Sequence, residues 1–117
     1  MEQNLFGETF VNGIPQQQIE ELFEFWKTTF NKRSTTILDE TRTKKIATAI
    51  KHYGAETCKH AILGCSMSHW HTGGNPTNKQ YTDLTLIFRN AEKVEMFLNI
   101  YNQETEAKNE MEEWLNN

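Results

Sequence analysis

"LDETRTKKIATAIKHYGAETCKHAILGCSM" runs from Leu38 to Met67 and decides how the whole chain is read. Ile46, Ala47 and Ile50 fall on one helical face before Gly54, and Cys58, Ala61, Ile62 and Cys65 fall on another after it. Side chains three and four residues apart stand above one another on a helix, so each set is a buried stripe. Glycine tolerates the backbone that closes a helix, so Gly54 reads as a terminator between two helices. Asp39 stands where a carboxylate can accept from the free amides of a first turn. The spacing predicts one helix starting between Thr36 and Asp39 and ending at Tyr53, and a second from Ala55 to Met67.

Upstream, Ile19, Leu22, Phe23, Trp26 and Phe30 make a wide helical stripe, with Pro15 suited to the first helical position. Glu20, Glu21 and Glu24 lie off that stripe near the helix start, where the backbone dipole favours them. Residues 1–14 show no period and read as an irregular arm, in which "FVNGI" adds at most a small strand. "NKRSTTILDE" breaks the first helix from the second. Downstream, "GGNP" forbids helix, because two glycines add freedom and Pro76 holds Asn75 extended. Thr82 is the expected cap of a short turn through Leu84 and Ile87, and Asn90 of a helix burying Val94, Phe97, Leu98 and Tyr101. The glutamate-rich residues 103–117 read as a helical tail, with Met111, Trp114 and Leu115 docking on the rest.

No segment alternates well enough for a central sheet. The expectation is an all-α, compact bundle of four main helices, with a structured Gly/Asn/Pro loop before the last core helix and a helical C-terminal tail. The helical domain is placed at 15–102, between the arm at 1–14 and the acidic tail at 103–117.

A chain of 117 residues with 37% hydrophobic side chains builds one core. No apolar run approaches bilayer thickness, and "MEQNLFGETF" lacks the basic start and apolar block of a secretory signal. Cys58 and Cys65 share one helix face about 10 Å apart, beyond disulfide reach, which points to a reducing, intracellular setting. The net charge of −4 is unevenly spread. Residues 1–30 carry one lysine against five glutamates, and residues 101–117 the same. Residues 31–60 carry seven cations against three carboxylates, so a basic middle lies between acidic ends. That excludes a strongly basic nonspecific binder but allows a local basic face.

Cys58, His60, Cys65, His69 and His71 crowd one window. Structural zinc, however, uses paired ligands on turns, and cysteines on a buried stripe are core residues first. No metal site and no cofactor is expected. Nucleophile elbow, phosphate loop and metalloprotease helix are all missing. Asp39 and Glu40 are adjacent and diverge, so no enzyme is expected. Nucleic-acid contact is the stronger signal. Arg42, Lys44, Lys45, Lys51 and Lys59 can line a helix pair and grip phosphates, with Lys79 and Arg89 beside the loop. Trp70, His71 and Tyr81 can stack on unpaired bases. Phe25 and Phe88 fall off their stripes and are the expected leftovers for a protein partner.

The stretch "AILGCSMSHWHTGGNPTNKQYTDLTLIFRNAEKVEMFL", Ala61 to Leu98, resembles a C-terminal module of bacteriophage and prophage replication proteins, of the replisome-organiser and helicase-loader-associated kind. The match rests on Trp70 and His71, Gly74 and Asn75, Lys79, Tyr81, Asp83 and Leu84. It continues through Ile87, Phe88 and Arg89 into a helix with Ala91, Glu92, Val94, Phe97 and Leu98. Upstream, "ELFEFWKTTFNKRSTTILDETRTKKIATAIKHYG" is similar to that module's opening helix, basic linker and second helix. Pro76 and Asn78 depart from the usual loop, and the winged helix such modules follow is not legible here. The resemblance implies DNA replication of a phage or mobile element, in the cytoplasm of a bacterial host. DNA, either an origin or a single strand, is the first expected partner. A replicative helicase or its loader is the second, and inhibition of a host or rival-element enzyme by a small acidic protein is the third. No membrane partner is expected.

Overall fold

The computed structural model describes residues 2–3 and 9–116. Five helices form a mostly helical, compact domain: α1 (Gln16–Thr29), α2 (Glu40–Tyr53), α3 (Ala55–Met67), α4 (Leu84–Ile87) and α5 (Ala91–Leu115). A small antiparallel sheet, β1 (Glu2–Gln3), β2 (Thr9–Val11) and β3 (Ile14–Pro15), precedes them in the order β1-β2-β3. Among the described residues, no helix is long and apolar enough to cross a membrane.

The boundaries follow local chemistry. Asp39 caps α2 by accepting from the amide of Arg42 at 2.8 Å, and Asn90 caps α5 by accepting from Lys93 at 2.9 Å. Gly54, at φ 83°, ends α2 and starts α3, a conformation few other residues adopt at low cost. At the end of α1, Asn31 sits at φ 51°; its amide bonds to Thr28 and that of Lys32 to Lys27, the paired closure of a Schellman motif. The short turn α4 is capped by Asp83, one residue beyond the expected Thr82; its carboxylate accepts from the Thr85 amide. Thr82 is occupied otherwise: its carbonyl accepts from the Trp26 indole at 2.7 Å and its hydroxyl from the Lys32 ammonium at 2.9 Å.

Two segments differ from the sequence reading. The residues after Gln3 that are described begin not as an irregular arm but as a hairpin, with Val11 opposite Ile14. Asn12 and Gly13 both take positive φ, 52° and 80°, as a tight hairpin turn requires. Asn-Gly is the strongest short hairpin signal, and here the flanking strands are too short for alternation to show. At the other end, the acidic tail is no separate docked element. It is the second half of the 25-residue α5, and Met111, Trp114 and Leu115 are 65%, 77% and 67% exposed.

The core gathers the expected stripes. Ile19, Leu22, Phe23 and Trp26 of α1 meet Ile46 and Ile50 of α2, Cys58, Ile62 and Cys65 of α3, and Val94 and Phe97 of α5. Each such side chain contributes about 1.5–3 kcal/mol when fully buried. Phe88 joins this core at 6% exposure instead of standing free on the surface, and Phe25 is half-buried against it. α3 and α5 pack closely at Gly64, where a side chain would run into the Phe97 carbonyl. Glycine is used there because the backbones touch.

A basic-rimmed groove and an aromatic clasp

The first half of α5 leaves α2 at an opening of about 720 Å³. Its floor is apolar: Ala49 and Tyr53 of α2, Phe88, and Val94 of α5. Its rim carries Lys44, Lys45 and His52 from α2 and Arg89 from the α4–α5 connection, beside the capped start of α5 at Asn90. Lys44 and Thr48 also line a neighbouring recess of about 640 Å³ that reaches Phe10 and Val11 of the hairpin.

Of the nine residues expected to bind DNA, three meet here. Lys44 is 65% exposed and pairs with Glu40 at 2.8 Å, a contact that holds the Glu40 carboxyl below its usual range. Exposed pairs of this kind are worth little and exchange readily for another anion. Lys45 donates to the Arg89 carbonyl at 3.4 Å, which ties the two sides of the rim together. Lys51 is exposed on α2 but lies outside the lining residues.

Arg42 has a different task. Its guanidinium donates to Asp83 at 2.7 Å and to the Ile37 carbonyl at 3.0 Å, and lies 5.4 Å from the Trp26 ring centre. Burial pushes the Asp83 carboxyl up, but bonds from Thr85 and Arg42 more than offset this and hold it below its usual range. Arg42 is a brace between α1, α2 and α4, with its charge already matched. Lys32 adds a second cation over the same indole at 5.2 Å. The role of Lys32 is not legible from spacing, because its hydroxyl partner lies 50 residues away. Lys59 is also apart from the groove: it pairs with Glu56 at 3.6 Å and sits over the Phe25 ring on α1.

The loop from Ser68 to Tyr81 is a clasp. Trp70 stacks on Tyr81 at 5.0 Å, and His71 meets Trp70 and Phe97 edge-on at 5.0 and 4.9 Å. Asn75 is its hub: the amide donates to the carbonyls of Trp70 and Lys79, and the oxygen accepts from the Thr77 amide and hydroxyl and the Lys79 amide. The Tyr81 amide donates to the His71 carbonyl, closing the loop. Trp70 and Tyr81 thus spend one ring face on each other, and Trp70 remains 49% exposed. Lys79 is exposed at the loop's edge, outside the groove-lining residues.

His71 is buried and its Nδ1 lies 2.7 Å from the Ser68 hydroxyl. Burial first, and the nearby Lys93 second, hold its pKa below the ordinary value. Cys58 and Cys65 are fully buried free thiols, and burial pushes both up to about 12, so neither is a ready nucleophile. Among the described residues no three His, Cys, Asp or Glu side chains converge as metal ligands do.

No family model, curated protein or solved structure matches the chain.

Proposed function

We propose that the chain is a non-enzymatic DNA-binding module acting in replication of a phage or mobile element, and that the basic-rimmed groove is its contact surface. The replication setting comes from the sequence resemblance around Trp70–Leu98. One observation carries the choice of surface. Lys44 and Lys45 of α2 meet Arg89, which is distant from them in sequence, around one opening beside the start of a long helix. Lysine and arginine supply phosphate contacts, and the adjoining helix start adds favourable potential for an anion. Lys51 extends the same helix's outer surface. The surface is smaller than the sequence reading supposed: Arg42 is engaged by carboxylates, and Lys59 and Lys79 lie elsewhere.

The test is an electrophoretic shift with single- and double-stranded DNA at two salt concentrations. Lys44→Glu, Lys45→Glu and Arg89→Glu together should weaken binding by about 100-fold or more, and wild-type affinity should fall steeply with salt. Lys59→Glu should leave binding within about twofold, because it lies outside the groove. Full retention in the triple variant, with an unchanged helical spectrum, would remove this reading.

A second reading has its own support. The groove floor of Ala49, Tyr53, Phe88 and Val94 is apolar, which suits an amphipathic helix from a replicative helicase or its loader better than a sugar-phosphate chain. Binding of that kind would respond weakly to salt, so the same titration separates the two.

A further inference from the structure

Among the described residues, nothing packs on the end of α5. Met111, Trp114 and Leu115 form an apolar stripe at i, i+3 and i+4, all more than half exposed, with Glu110, Glu112 and Glu113 beside it and Lys108 one turn before it. The last turn holds no basic residue, so these carboxylates face the negative end of the helix dipole. An acidic, tryptophan-bearing helix end is the complement of an apolar groove rimmed by lysine and arginine. The groove lies at the other end of the same helix: Val94 lines it, and twenty residues separate Val94 from Trp114. At 1.5 Å per residue that is roughly 30 Å, so a continuous α5 cannot place its own tip in its own groove.

We propose that the acidic tip of α5 docks in the α2–α5 groove of a second copy of this chain, reciprocally, to give a two-fold dimer. Trp114 and Met111 would lie on the apolar floor, and the flanking glutamates would face Lys44, Lys45 and Arg89. An aromatic side chain buries roughly 150–250 Å², and the reciprocal arrangement doubles every contact. The two indoles then account for roughly 300–500 Å², well under a standard interface, so the dimer is concentration-dependent. This goes beyond the DNA reading, and a docked tip would cover the same cations, so dimer and DNA compete.

The experiment is sedimentation equilibrium of the full chain from low to high micromolar concentration. Wild type should pass from monomer to dimer. Met111→Ser with Trp114→Ser removes the tip, and Lys44→Glu with Lys45→Glu reverses the rim; all four side chains are on the surface or rim of the fold. Each double variant alone should dimerise at least about tenfold more weakly. Mixed together they should form a heterodimer through the one intact junction, with a blue shift of the Trp114 emission of the rim variant. A wild type that stays monomeric, a tip variant that dimerises like wild type, or a mixture without the heterodimer would each overturn the proposal. The tip variant should bind DNA at least as tightly as wild type, which keeps this test distinct from that of the DNA reading. If the tip variant is monomeric and neither it nor wild type retains DNA, the dimer stands and the DNA reading falls.

Discussion

The clasp from Ser68 to Tyr81 and the second half of α5 are opposites. The clasp is the least regular stretch of the molecule, yet Asn75 alone makes five hydrogen bonds within it and three aromatic rings close it. The end of α5 is wholly regular, yet its side chains touch little beyond their own helix. Regularity of backbone and strength of attachment are therefore separate properties. A helix satisfies its own amides wherever it points, but tertiary packing supplies most of its stability. An irregular loop must find partners for each buried polar group, and one that does becomes as fixed as the core.

The largest break in this contrast should come at Gly64. Gly64→Val forces α3 and the first half of α5 apart, and should cost about 3 kcal/mol or more, read as a lower urea midpoint. It should loosen the well-held half of α5 and leave the bare half as it was. Trp26→Ala should cost a similar 3–5 kcal/mol, because it also strands the Thr82 carbonyl and removes the ring under Arg42 and Lys32.

Asn75→Ala comes next, at roughly 1–2 kcal/mol, since it leaves part-buried carbonyls and amides of the clasp without their partner. Its mark should be faster amide exchange at residues 70–81 with α1 and α2 unchanged. If Asn75→Ala is silent, the clasp is held by its rings and not by its hub. Acid gives a smaller and graded effect. The folded state holds the His71 pKa below its ordinary value of 6.5, so the unfolded chain takes up the proton first. The stability this protects is complete above that value and is lost as pH falls through the folded pKa. His71→Phe should flatten this part of the pH profile. Asp83 adds a further loss at lower pH, because its folded pKa is also depressed and protonation releases Arg42. Smallest of all, Met111→Ser with Trp114→Ser in dilute protein should shift stability by no more than about 0.5 kcal/mol.

The same contrast explains what the sequence made legible. Asp39, Gly54 and Asn90 mark helix ends because their effects are local, within four residues of themselves. The apolar stripes predicted the core for the same reason. The union of α2 and α5 around the groove was not legible as such, because Lys45 and the Arg89 carbonyl are 44 residues apart. The seven cations named beforehand look equivalent on paper. Only the folded chain separates Arg42, held against Asp83 and Trp26, from Lys44 and Arg89 on the rim. Nor does spacing tell whether the tail's apolar residues dock: Met111, Trp114 and Leu115 form as good a stripe as Val94, Phe97 and Leu98, and only the length of α5 carries them past the body of the domain.

The three tryptophans fall in three environments: Trp26 is 1% exposed in the core, Trp70 49% in the clasp and Trp114 77% at the tip. The unmodified molecule thus carries its own optical labels. An aqueous quencher such as iodide should reach the tip indole first, the clasp indole second and the core indole only after global opening. Time-resolved emission would then follow three parts of one chain in a single cuvette.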